Sequence, residues 1–215
     1  MNSRNFLFLS LLFSLLWGGE CDVTRYGAAK ISEFETELYR AKEEFFTITI
    51  PKGWNKREER LPYESPGIKT AGVILSAPLD DGWISPEISV IYYGNGGFFP
   101  DYRDYIRRER HSFNRRDDDA KTIVTDAVAD GKKGIGFEIR TTEAVNTEPL
   151  FEPGIMYRLN GEMIPKMADV VEVFRVFPEE KGFWVFHYKA SESGILKCRG
   201  VFDRVVDSAR FGKEP

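Results

Sequence analysis

Two histidines, His111 and His187, are all the imidazole chemistry this chain of 215 residues has. A three-histidine zinc site is excluded by that count, and neither an HExxH nor a CxxC spacing occurs to hold a metal. His187 lies between Phe186 and Tyr188 in an alternating apolar segment and reads as a structural sheet residue, while His111 follows an arginine-rich stretch and reads as exposed. Ser191 and Ser193 have the placement of helix-start residues, with no GxSxG turn to expose a nucleophile. The carboxylate runs Asp80-Asp81 and Asp117-Asp118-Asp119 supply hard oxygen ligands but lack the alternating spacing of a calcium loop, and read as solvated turns. No metal or cofactor is therefore expected, and catalysis is not the expected work of the chain.

Three other groups of residues point to binding. The stretch GNGGFF, residues 94–99, has glycines that permit a close backbone approach, without the GxGxxG or lysine of a phosphate loop. It is expected to be a mobile loop presenting Phe98 and Phe99. Together with Trp83, Phe151 and Met156 these aromatic and apolar side chains form a candidate interaction surface. Arg103, Arg107 and Arg110, with Arg108, make a cationic helix face that is either simply solvated or a site for an anion or an acidic partner.

Cys21 and Cys198 are the only cysteines. Cys198 falls on the stripe Ile195, Cys198, Phe202, Val205 or Val206, and Ala209, whose three-to-four-residue spacing marks an amphipathic helix, so it is expected in the core rather than in a disulfide. Cys21 stands directly behind a leader: Arg4 supplies charge and residues 6–17 form an apolar run broken by Ser10 and Ser14. A run of about 12 residues is short for a membrane span, which takes roughly 20. Its position resembles that of a bacterial lipoprotein cysteine, although Glu20 stands where a small residue is usual and Gly18 where a leucine is. Lipidation of Cys21, with a membrane tether, and simple export to the periplasm both stand as expectations, with a retained, uncleaved leader as the third alternative.

The elements that must position these residues follow from periodicity. Residues 1–20 read as a signal peptide, 21–44 as a linker or N-terminal helix and 212–215 as a tail. About 190 residues after the leader suffice for one substantial core. A composition 42% hydrophobic and 30% charged is ordinarily globular, and a net charge of −4 gives no footprint for nucleic acid. Segment 30–44 fits a helical period and equally a strand entering a hairpin, and a helix or tether up to Arg40 is the expectation taken. FFTITIP (residues 45–51), residues 68–78, EISVIYYG (87–94), TIVTDAV, GIGFEIRTTEAV and the pair within residues 169–190 read as strands, with a less regular extended piece near residues 60–63. Pro100 and Asp101 announce a helix, and residues 146–168 form a long connection.

The strand opening FTITIPKGW, the late hairpin VVEVFRVFPEEKGFWVFHYKA and the final FDRVVDSARF together resemble the PsbP-like superfamily over residues 45–211, with 146–168 as an insertion. That superfamily includes photosystem II accessory proteins, a Ran-binding nuclear import factor and bacterial envelope proteins. The resemblance implies an α+β fold, an α/β/α sandwich with a central, mostly antiparallel sheet of about six strands and helices on both faces. It also implies a binding or accessory module whose partner is another envelope protein. The motifs concerned are packing motifs and carry no chemistry. An enzyme of unrecognised type, acting on a small molecule or through a metal, and a chiefly structural envelope lipoprotein are the alternatives. A deep pocket with convergent ionisable groups would favour the enzyme, and a flat apolar patch the module.

Overall fold

The computed structural model describes residues 35–41, 44–59, 70–78, 84–111, 124–145, 158–159, 162–163 and 166–212. The first strands are β1 (Thr36–Arg40), β2 (Phe46–Pro51), β3 (Asn55–Glu59), β4 (Thr70–Ser76) and β5 (Glu87–Gly94), followed by helix α1 (Tyr102–Arg110). Next come β6 (Val124–Ala129), β7 (Lys132–Val145), the short β8 (Arg158–Leu159) and β9 (Glu162–Met163), β10 (Lys166–Pro178) and β11 (Gly182–Ser191). Helix α2 (Glu192–Ser208) and β12 (Arg210–Phe211) close the chain. The described residues thus form an α+β domain.

A seven-stranded sheet in the order β3-β4-β5-β11-β10-β7-β6 is the main layer, and every pairing in it is antiparallel. Its centre is the hairpin of β10 and β11, turned where Glu179 N–H donates to Gly182 O at 2.9 Å. The sheet has seven strands where about six are expected, and a second sheet, β1-β2-β12, joins it.

Alternation along β11 divides the core. Trp184, Phe186, Tyr188 and Ala190 enter the larger apolar cluster, while Phe183 and Val185 enter a second one. The larger cluster receives Val201, Phe202, Val205 and Val206 from α2, together with Phe46, Ile48 and Ile50 from the small sheet. The expected helical stripe is thereby present, with Phe202 stacked on Tyr188 at 5.6 Å and Cys198 half-buried against the cluster. Ser191 caps α2 by accepting from Gly194 N–H at 3.1 Å. The second cluster gathers Phe137, Phe174, Val176 and Phe183 from the sheet, with Phe99 and with Tyr105 of α1.

One expectation changes. Residues up to Arg40 are a strand rather than a helix: Glu37 and Tyr39 are half-buried between exposed neighbours, and β1 pairs with β2 from Thr36↔Pro51 to Arg40↔Thr47. The helical spacing of apolar residues there is outweighed by this pairing and by the contact of Tyr39 with Phe46, 5.8 Å between ring centroids. The strand after Gly53 is Asn55–Glu59, earlier than the extended piece near residues 60–63, which lies outside the described residues. Among the described residues no helix is long and apolar enough to cross a membrane.

Candidate ligand cavity

The second face of the sheet is only partly covered, and the uncovered part is a cavity of about 480 Å³. Four neighbouring strands make its floor: β4 contributes Thr70 and Ile74, β5 Ser89 and Ile91, β11 Val185 and His187, and β10 Phe174. Each of these side chains is there because strand alternation sends every second residue to this face. Glu87 and Tyr93 line it from the two ends of β5.

The wall is the connection from β5 to α1. Gly96 takes φ +78°, a left-handed turn that glycine enters without strain. Asn95 N–H donates to Lys181 O at 2.8 Å and Gly96 N–H to Pro100 O at 3.2 Å, so the loop is tied both to the β10–β11 turn and to itself. Phe99 therefore points inward and is 6% exposed, edge-on to Tyr93 at 5.3 Å and Tyr105 at 4.9 Å, while Phe98 is 66% exposed at the mouth. The expectation that both would be presented on a mobile loop holds for the exposure of Phe98 alone. Burying Phe99 removes far more apolar surface from water than displaying it would.

The roof is α1. Asp101 caps it, accepting from the backbone N–H groups of Arg103 at 2.8 Å and Asp104 at 2.9 Å. Tyr105 and Glu109 face the cavity. Burial pushes the Tyr105 hydroxyl far above its usual range, and the nearby Glu109, Tyr93 and Glu172 push it the same way, so it stays a neutral phenol. The arginines are engaged by the helix's own carboxylates: Arg107 and Arg108 both meet Asp104, the latter at 2.8 Å while lying over the Phe99 ring at 5.5 Å, and Arg103 pairs with Asp101 at 3.8 Å. Arg110 is half-buried in the last turn, and His111 is exposed at the C-cap.

His187 is the one imidazole on the cavity floor. Its Nε2 is 2.8 Å from Glu172 Oε2, and its ring stacks on Phe174 at 4.3 Å. Glu172 also accepts from Thr141 Oγ1 at 3.4 Å. Burial alone would raise the Glu172 carboxyl, but the hydrogen bond and charge of His187, then the Lys189 charge and Thr141, hold it below the usual carboxylate range. A depressed folded pKa means that ionised Glu172 stabilises the fold at neutral pH and that this contribution disappears as pH falls below about 4.5 and through the folded value. Urea unfolding measured across that acid range is expected to show a steep loss of stability in the parent that is shallower in Glu172→Gln.

Phe98 and Phe99 are thus the sequence candidates that the structure brings to this site. Cys21, Trp83, Phe151 and Met156, like the two aspartate runs, lie outside the described residues. Sequence reading passed over Thr70, Glu87, Ser89, Tyr93, Tyr105 and Glu109. The available signal was in EISVIYYG, where Glu87 and Ser89 interrupt one face of an otherwise apolar strand. Among the described residues no group of three or more His, Cys, Asp or Glu side chains is placed to hold a metal ion.

No family model matches the chain, and no curated protein matches it by sequence. Solved structures do. A crystal structure of a Pseudomonas aeruginosa protein of unknown function, PA94, described as a putative regulator, is 10% identical with a TM-score of 0.37, covering 84% of this chain and 99% of that one. LpqN of Mycobacterium tuberculosis, described as involved in cell envelope biogenesis, is 13% identical with a TM-score of 0.38, covering 84% and 86%. The solution structure of cyanobacterial PsbP (CyanoP) from Synechocystis sp. PCC 6803 is 12% identical with a TM-score of 0.45, covering 85% of this chain and 96% of that chain. A PsbP and a mycobacterial envelope protein thus stand among the structures to which this chain is similar.

Proposed function

We propose that this chain is an exported, envelope-associated binding module without catalytic activity, and that its ligand site is the cavity between the seven-stranded sheet and α1. The observation that carries the reading is the cavity itself: about 480 Å³, walled by aromatic rings and dotted with a few polar groups. That is the size and chemistry of a small-molecule pocket and not the flat patch expected of a protein-docking module, so the ligand we propose for the module is a small molecule. The Ser89 hydroxyl, on a residue 7% exposed, makes no hydrogen bond among the described residues and is free to orient a ligand. The α/β/α layering belongs with this proposal, α1 serving as roof and α2 as the backing layer. Export rests on the apolar leader before Cys21, and a lipid on Cys21 would tether the module to a membrane. An envelope protein partner would meet the mouth at Phe98 or the outer face of α1 at Arg103, Arg107 and Arg110, with Trp83, Phe151 and Met156 as further candidates for that surface.

One observation favours an enzyme as the second reading. Ser89 and His187 are directly opposite in the β5–β11 ladder, and His187 is bonded to Glu172, which makes a hydroxyl, imidazole and carboxylate neighbours. The module reading is preferred because no hydrogen bond joins Ser89 to His187, whose Nε2 is directed to Glu172. Native mass spectrometry of the protein isolated gently from its host separates the cases. A retained small molecule is expected in the parent, reduced in Phe98→Ala at the exposed mouth and absent in Ser89→Trp, whose ring would fill the cavity. Retention of the same mass by Ser89→Trp, or its absence from the parent, would contradict the assignment. Turnover of p-nitrophenyl esters that is lost in both Ser89→Ala and His187→Ala would move the assignment to the enzyme.

A further inference from the structure

We infer that the cavity takes a small organic cation with an apolar body, such as a quaternary ammonium compound; the inference rests on reading the cavity as a ligand site. Of its thirteen lining residues five are aromatic, two are carboxylates, one is an imidazole, and none is a lysine or arginine. A concave, largely apolar lining with two carboxylates and neither lysine nor arginine favours a negative potential over whatever enters. That potential attracts a cation, leaves a neutral ligand only apolar contact, and repels an anion.

The charges around the site sharpen this choice. Glu87 is half-buried at the cavity edge, and among the described residues nothing pairs with its carboxylate. Its partner across the ladder is Lys189, yet the Lys189 ammonium is 2.7 Å from Glu143 instead. Arg108 of α1 is held by Asp104 at 2.8 Å and lies over Phe99 at 5.5 Å. His187 faces the floor with Glu172 at its Nε2, so an anionic carboxylate backs that side as well. Glu109 adds its carboxylate from the roof.

Apolar walls and an unpaired carboxylate ask for a cation that is weakly hydrated. A bare metal ion would find too few oxygen ligands here, because hard cations require about six. An alkylammonium head satisfies Glu87 electrostatically without demanding a coordination shell, and its carbon body lies along the floor toward Ser89 and His187.

Three probes of one shape and different charge test the inference: choline, 3,3-dimethylbutan-1-ol and 3,3-dimethylbutanoate. Each is titrated into the intact protein at matched ionic strength while the backbone amide resonances of β5, β11 and α1 are followed. Choline is expected to bind at least tenfold more tightly than the alcohol, with the carboxylate weakest. Glu87→Gln, a near-isosteric change at a half-buried strand end, is expected to bring the affinities of choline and the alcohol to within about threefold of each other. Equal or tighter binding of the alcohol or the carboxylate at these amides would overturn the cation assignment and leave the cavity standing as a ligand site. If none of the probes moves these amides the cation assignment also falls, and the retained-mass experiment then decides the cavity reading on its own.

Discussion

Trp184→Ala is expected to lower the unfolding free energy by about 3–5 kcal/mol, the range for truncating a large aromatic in a packed core. Trp184 is 3% exposed on the central strand β11. Its ring meets Phe46 at 5.0 Å, Phe211 at 5.4 Å, Phe45 at 5.9 Å and Tyr92 at 5.2 Å. Phe46 and Phe211 belong to the small sheet and Tyr92 to the large one, so this side chain is where the two sheets are held together. Its loss leaves a cavity that backbone hydrogen bonds on both sides prevent from collapsing. Urea or thermal unfolding gives the value, with Phe98→Ala as the surface contrast within about 0.5 kcal/mol of the parent. A Trp184→Ala cost below about 1 kcal/mol would mean that the small sheet docks by other contacts.

Gly72→Val is expected to cost about 2–3 kcal/mol and also to disturb the ligand cavity. A Cβ at Gly72 would lie 2.3 Å from the Val90 carbonyl oxygen and 2.8 Å from Ile91 Cα. Both obstacles are backbone, so no rotamer change relieves the overlap and β4 must move away from β5. These two strands carry Thr70, Ile74, Ser89 and Ile91 on the cavity floor. Stability loss and weakened ligand retention should therefore appear together, unlike Trp184→Ala, which acts on the opposite face of the sheet. Unfolding measurements and native mass spectrometry on the same preparations check both halves.

The readable parts of this sequence are those whose local pattern and tertiary role agree. GFWVFHYKAS is buried without a break through its first five residues, the continuous aromatic and branched run of a central strand, and alternates from His187 onward where one face opens. Asp101 after Pro100 is a local helix signal, and α1 begins there because the cap satisfies backbone donors within a few residues. β3, by contrast, reads NKREE and holds no apolar residue; it is an edge strand defined by its pairing with β4, and edges tolerate charge. β1 was obscured because residues 31–45 satisfy a 3.6 period as well as a period of two, and only the partner strand decides between them.

The cavity was hidden for a related reason. Ser89 and His187 are nearly a hundred positions apart, and they become neighbours only through the β5–β11 register. Glu172 reaches His187 across the β10–β11 pair, a contact no linear spacing encodes. Phe99 was recognised as important, but its inward direction depends on the Gly96 turn and on the anchoring of Asn95 to Lys181.

A crystal structure of the protein isolated from its own host without denaturation tests the central claim most directly. The predicted result is density for one small molecule on the sheet floor between Ser89, Val185 and His187, enclosed by Phe99 and Tyr105 and with Glu87 at its polar end. The contradicting result is a ligand seated elsewhere on the chain, or a cavity closed by the side chains that line it while a bound partner protein occupies the surface at Phe98.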